Sequence, residues 1–294
     1  MKKLYFCRDF VTSDEILTGV HMDAHFHNMP SQLFSLVTRL SGYSPYIKSL
    51  ISEEYIWLND IINADIVRVI DQILADCRSS NLSEISSKLR IAKRRANLLI
   101  LLADFGGILS LSEVTELLSN FAENVVEIAL NLLVYNEFKK VDPACFVKSS
   151  DFFPTKISEA ASKSGLVAIA MGKLGAFELN YSSDIDLIFL FDEERYYPRH
   201  YSKIRGVFIT IIRKFVKILA ENTQEGFVYR VDLRLRPDPS SNPVCIGSLA
   251  AQRYYENYGR NWERAAFIKA RSLAGDKVTG DVFLKSLSPF VWRK

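Results

Sequence analysis

Asp184 and Asp186 stand two residues apart at the start of the apolar run Ile185-Asp186-Leu187-Ile188. Side chains alternate between faces of an extended chain, so the two carboxylates project together while Ile185, Leu187 and Phe189 anchor the opposite face. Carboxylates side by side repel unless a cation lies between them. An all-oxygen donor set suits Mg²⁺. A D-x-D pair alone is a weak signal, because many surface strands carry one. Two features strengthen it. The preceding apolar run ends in Gly172-Lys173-Leu174-Gly175. Glycines there let backbone N–H groups approach phosphate oxygens, and a helix start favours anions. Further on, Tyr229 to Arg236 alternates strictly. That places Val231, Leu233 and Leu235 on one face and Arg230, Asp232, Arg234 and Arg236 on the other. Three carboxylates with arginines fit two metal ions clamping a phosphoryl group. Asp184 and Asp186 then hold metal, and Asp232 completes a second metal site or accepts a proton. Lys173 and the arginines neutralise the transferring phosphate. Lys173 reads equally well as a solvated loop lysine.

The elements around these residues differ between the two halves of the chain. Residues 31 to 140 read as helices. Asn81 to Ala103 opens with Asn81 and Glu84 in a capping-box variant and closes at Gly106-Gly107. The next helix opens with Ser110 and Glu113. Its residues Val114, Leu117, Leu118, Phe121, Val125, Ile128 and Leu132 recur at threes and fours, giving one buried stripe. Lys88, Arg90, Lys93, Arg94 and Arg95 line the first of these helices, as a phosphate-facing patch or, the favoured reading, as a solvated face with a few carboxylate partners. Val141 to Ser164, with Pro143 and Pro154, reads as a linker holding a short helix. Then Gly165 to Met171, Ile185 to Phe191 and Tyr229 to Arg236 read as strands. Ile204 to Ala220 reads as an amphipathic helix, and Ala250 to Ala270 as a helix broken near Gly259. The fold class is α+β: a helical region over 1–150, then a domain over 151–294 with a small mixed sheet flanked by helices.

Composition excludes some classes. The net charge of +3 is only mildly basic and by itself argues neither for nor against nucleic acid. Cys7, Cys77, Cys145 and Cys245 are far apart with no C-x-x-C pair, which argues against a disulfide framework or a zinc knuckle. No signal-peptide core is visible, and no apolar stretch approaches the roughly 20 residues that span a bilayer. A soluble cytoplasmic protein is expected. His21, Asp23, His25 and His27 cluster near the N-terminus, where the alternate spacing of His25 and His27 suits a metal. A loosely packed start is the favoured alternative there.

Met171-Gly172-Lys173-Leu174-Gly175 followed by Glu178-Leu179-Asn180-Tyr181-Ser182-Ser183-Asp184-Ile185-Asp186 resembles the signature of the glutamine synthetase adenylyltransferases. Val231-Asp232-Leu233-Arg234-Leu235-Arg236-Pro237 is similar to their second signature. Gly259-Arg260-Asn261-Trp262-Glu263-Arg264, with Lys269-Ala270-Arg271, is similar to their third. Leu89-Arg90 with Lys93-Arg94-Arg95 resembles the basic helix that precedes their first catalytic domain. The likeness runs from about Ser31 to the C-terminus. It implies a bifunctional enzyme with two polymerase-β-type nucleotidyltransferase domains. One attaches AMP from ATP to a tyrosine of glutamine synthetase, and the other removes it by phosphorolysis, releasing ADP. The wording of the motifs resembles the N-terminal, AMP-removing domain. The resemblance implies Asp184, Asp186 and Asp232 as catalytic and Mg²⁺-binding residues. It implies Gly172, Lys173, Gly175, Ser182, Ser183, Arg234 and Arg236 on nucleotide or phosphate. Its partners are glutamine synthetase, ATP or ADP, phosphate and the PII signalling protein, with no nucleic acid and no membrane.

Two departures stand out. Ala176 replaces a usual glycine, and its methyl could narrow the phosphate turn. The family's sequence continues past the point matched by Pro289 to Lys294, so the domain reads as incomplete and the second catalytic domain is absent. Two alternatives stay open. One is a non-catalytic remnant that binds nucleotide or glutamine synthetase. The other is an unrelated polymerase-β-type transferase acting on nucleic acid or a small molecule, which would need a basic groove or stacking aromatics such as Tyr254, Tyr255 and Tyr258. Helix packing is the favoured reading of those tyrosines.

Overall fold

Apolar residues at helical spacing build the first elements: α1 (Ser31–Tyr43), α2 (Pro45–Ile61), α3 (Ile66–Arg78), α4 (Ile85–Phe105) and α5 (Leu111–Phe138). The computed structural model describes residues 2–4, 29–141 and 147–292. The His21, Asp23, His25 and His27 cluster, Cys7 and Cys145 lie outside the described residues. Helix starts follow their capping residues. Ser44 accepts from the Ile47 N–H with Pro45 in the first turn of α2, and Asp65 accepts from Arg68 N–H at the head of α3. Asn81 accepts from the N–H groups of Ser83 and Glu84 at 3.0 and 3.1 Å, but regular helix begins only at Ile85. Ser110 and Glu113 bond reciprocally as a capping box, and Gly107 turns the chain between α4 and α5 at a φ of +67°.

Two compact units are present: Met1–Ser79 with Ile91–Phe121, and Ser80–Arg90 with Ala122–Lys294. In the first unit the basic helix corrects the expected solvated face. Lys93 is buried, with its ammonium 5.9 Å from the Phe121 ring centre, and burial lowers its pKa to about 7. Arg94 and Arg95 both reach Glu54, at 2.6 and 2.7 Å, and Glu54 is only 3% exposed. Glu54 sits at a kink in α2, where φ is −115° and ψ 15°. A buried carboxylate with two guanidiniums is costly to break by removing one partner.

The second unit is built on a five-stranded mixed sheet. Its strands are β1 (Leu166–Ala170), β2 (Ile185–Phe191), β3 (Val231–Asp232), β4 (Cys245–Gly247) and β5 (Arg271–Gly275). The order is β3-β2-β1-β5. β1 is antiparallel to both neighbours, and β3 and β4 lie parallel along the same edge of β2. β1 and β2 are buried throughout except at Asp186, which explains their continuous apolar runs. One sheet face packs on α8 (Tyr201–Ala220), where Phe189 meets Phe215 and Phe191 stacks on Phe208. The other, carrying Val167, Ile169, Ile188 and Leu190, packs on Ala251, Tyr255, Phe267, Phe283 and Leu287. Those come from α9 (Ser248–Tyr258), the short segment after α10 (Asn261–Ala266), and α11 (Lys277–Ser286) with Leu287 just past its end. Each such side chain contributes about 1.5–3 kcal/mol of burial.

Arg90 belongs to this unit and is 2% exposed, which also contradicts the solvated face. Its guanidinium donates to the carbonyls of Ser86, Glu221 and Gly226. The later part of α5 is tied to the sheet region by polar groups: Asn131 accepts from Ala161 N–H in the short helix α6 (Ala160–Lys163), and Glu127 from Gly275 N–H. By length and composition α5 could cross a membrane, but 72% of its most apolar window is buried in the protein.

Candidate active site

Parallel pairing of β2 with β3 sets Ile185 beside Val231 and Asp186 beside Asp232. Adjacent residues of paired strands share a face, so these two carboxylates are neighbours by register. Asp184 lies just before β2, held by a turn. There the Ser183 hydroxyl donates to Asn180 Oδ1 at 2.5 Å, and Ser183 N–H donates to the Asn180 carbonyl. The three sequence-predicted aspartates therefore belong to one place. Burial, then the charges of Asp232 and Asp184, push the Asp186 carboxyl above the ordinary aspartate range.

The arginines do not share one face as strict alternation predicts. β3 ends at Asp232, and the chain turns. Arg234 folds back: its Nε donates to both Asp232 oxygens at 2.8 and 3.0 Å, and its backbone N–H adds a third bond at 2.8 Å. This guanidinium holds the Asp232 carboxyl below its usual value. Arg230 Nε lies 2.5 Å from Asp184 Oδ1, and its Nη2 donates to the Ser182 carbonyl. Arg236 turns away. It donates to the carbonyls of Leu233, Pro239 and Asn242, and so locks the turn after β3. The strand expected over Tyr229 to Arg236 is short because the chain turns after Asp232, where the Leu233 carbonyl accepts from both the backbone N–H and the side chain of Arg236.

Gly172 to Gly175 form one helical turn, α7, directly after β1. Gly172 has φ +56°, and a Cβ there would stand 2.6 Å from Asp186 Oδ2. This glycine lets the turn's backbone lie against the carboxylate. A Cβ at Gly175 would stand 2.0 Å from the Lys269 carbonyl. The N–H groups of Gly175 and Ala176 bond to Met171 and Gly172, leaving the earlier amides in the unsatisfied first-turn positions. Lys173 is exposed, as is Ser182. Ala176 has φ −92°, a conformation that needs no glycine, so its methyl is accommodated.

The third motif braces the first. Lys269 pairs with Glu178 at 2.5 Å. Arg271 donates to the Leu174 carbonyl at 3.3 Å and to Glu123 at 2.6 Å, and its guanidinium lies 3.8 Å from the Phe177 ring centre. Glu263 is buried, accepting from Arg260 N–H and the Tyr254 hydroxyl. Tyr255 is 1% exposed against Phe267, Phe283 and Phe290, which fits helix packing; Tyr258 is 75% exposed. Glu123 could not be found from spacing, because it lies 148 residues before its partner Arg271.

Among the described residues no three acidic, histidine or cysteine side chains are gathered tightly enough to enclose an ion as they stand. The donor chemistry still fits a hard divalent cation. Asp186 carries like-charge repulsion that Arg234 offsets only in part, while Asp184 and Asp232 are turned to arginines that are 57% and 85% exposed. The Arg230–Asp184 pair is exposed on both sides and worth about 0–1 kcal/mol, so a cation could displace it at small cost.

A family model described as glutamate-ammonia ligase adenylyltransferase matches residues 34–286. Curated relatives named bifunctional glutamine synthetase adenylyltransferase/adenylyl-removing enzyme are similar over most of the chain. One from Xanthobacter autotrophicus is 40% identical over 255 residues, covering 85% of this chain and 25% of the relative. One from Rhizobium meliloti is 44% identical over 212 residues, covering 72% and 21%. One from Rhodopseudomonas palustris is 39% identical over 286 residues, covering 91% and 28%. The chain thus spans about a quarter of the length of the curated relatives it matches.

Proposed function

The chain belongs to the glutamate-ammonia ligase adenylyltransferase family, and from that premise we propose that it removes AMP from a tyrosine of glutamine synthetase by phosphorolysis, releasing ADP. The observation that carries this reading is the register pairing of Asp186 with Asp232, beside Asp184 and against the Gly172 turn. Asp184, Asp186 and Asp232 would hold Mg²⁺, which when bound supplies charge stabilisation to the phosphoryl oxygens. A phosphate oxygen attacks the AMP phosphorus and forms the new P–O bond. The bond from phosphorus to the tyrosine oxygen breaks, and the proton of hydrogen phosphate ends on the phenolic oxygen. Arg234 and Lys173 are exposed and placed to offset phosphate charge, and the first-turn amides of α7 offer neutral donors. The low pKa of Asp232 keeps it ionised, which suits a cation ligand. We place ATP or ADP, phosphate and glutamine synthetase as its ligands, with the residues 151–294 as the catalytic domain.

The test is ADP release from adenylylated glutamine synthetase in Mg²⁺ and phosphate, abolished by a chelator. The arginine pairs on Asp184 and Asp232 favour a second reading, a centre that binds nucleotide without turnover. Nucleotide binding with no ADP release would select it.

A further inference from the structure

We propose that Arg271 is a positioning residue of this centre, acting through the Gly172–Gly175 turn and not on the reactants. The inference rests on the nucleotidyl-transfer reading above. Arg271 opens β5, and register places it beside Ala170, the last residue of β1 before the turn. Its side chain is 19% exposed. One end of the guanidinium is held by Glu123, and the other donates to the Leu174 carbonyl inside the turn. Its plane covers Phe177, whose φ of +59° is rare for an aromatic residue and closes the turn's far end. The Nε–H is buried without an acceptor, so the side chain is placed for those contacts at a cost to itself.

The turn cannot drift the other way. Gly172 already lies so close to Asp186 that a single methyl would collide with Oδ2, and Gly175 is as tight against the Lys269 carbonyl. The turn is therefore wedged between Arg271 and Asp186. The position of the one carboxylate in β2 is set by an arginine that has no contact with any of the three aspartates among its bonds. Lysine cannot reproduce this, because it lacks the fork that joins Glu123 to Leu174 and the flat face that covers Phe177.

Mn²⁺ titration of the whole chain, with amide hydrogen exchange over residues 172–178, tests the assignment. Arg271→Met and the milder Arg271→Lys should each weaken Mn²⁺ roughly 10-fold, as loss of a partner behind a metal ligand does. Both should speed exchange in the turn, and kcat should fall while KM for the adenylylated protein holds. Lys277→Met is the control. Lys277 takes the other Glu123 oxygen and makes no bond to the turn, so its loss should change neither readout. Wild-type Mn²⁺ affinity in both Arg271 variants would overturn the proposal and leave the reading of the site standing. If Asp186→Asn binds Mn²⁺ as well as the unaltered chain does, the reading itself fails and the inference falls with it.

Discussion

Asp186 and Asp232 lie side by side yet shift in opposite directions, and this yields predictions at the scale of single residues. Asp186 is raised above the ordinary aspartate value of about 3.9 by burial and two like charges, so its ionised form destabilises the fold. That penalty is absent below the unfolded value and grows as pH rises through the raised folded one. Asp186→Asn should therefore melt higher than the parent chain at pH 7, with the gap closing near pH 3, while activity falls by about 10³-fold or more. Asp232 is lowered by Arg234, so its stabilisation is present above the unfolded value and is lost as pH falls through the folded one. Arg234→Gln should remove that acid-side loss in melting curves. It should also raise KM for phosphate roughly 10-fold, the size of one charge-assisted hydrogen bond.

At the scale of elements, the glycines of α7 differ in what a methyl would meet. Gly175→Ala drives a Cβ into backbone carbonyls of Lys269 and Ala170, so it should destabilise by more than Gly172→Ala, which meets a movable side-chain oxygen and the strain of its φ of +56°, about 1–2 kcal/mol. Thermal melts of the two variants decide this. Ala176→Gly should cost only about 0.5–1 kcal/mol, the usual entropy penalty. β1, β2 and α8 were legible because a continuous apolar run or a clean helical period leaves little choice. β3 was overextended because Val231 to Arg236 alternates whether the chain pairs or turns; only Arg236 reaching three carbonyls decides it. β4 and β5 passed unread because Cys245–Gly247 is three residues long and Arg271–Gly275 mixes polar and small residues. The basic run of α4 misled for a different reason. Spacing alone cannot show that Glu54, Glu221 and Gly226 converge on it from distant segments.

For the whole molecule, the proposed site was legible as three aspartates and a turn that the fold brings together, while its bracing was not. Glu123 and Arg271 meet only because α5 packs beside the sheet. Arg90→Met tests a similar long-range tie, removing the Arg90 donor from the carbonyls of Ser86 and Glu221 while Gly226 keeps its bonds from Thr223. It should lower unfolding stability by about 2–4 kcal/mol in a denaturant titration. The family match over residues 34–286 spans all three motifs, and the paired carboxylates carry the chemistry proposed for it. The account stands or falls on where phosphate goes. Adenylylated glutamine synthetase incubated with the chain, Mg²⁺ and isotopically labelled inorganic phosphate should yield ADP labelled at its β-phosphorus, and the Asp186→Asn variant should yield none. Release of unlabelled AMP, or labelled ADP formed equally fast by the variant, would contradict it.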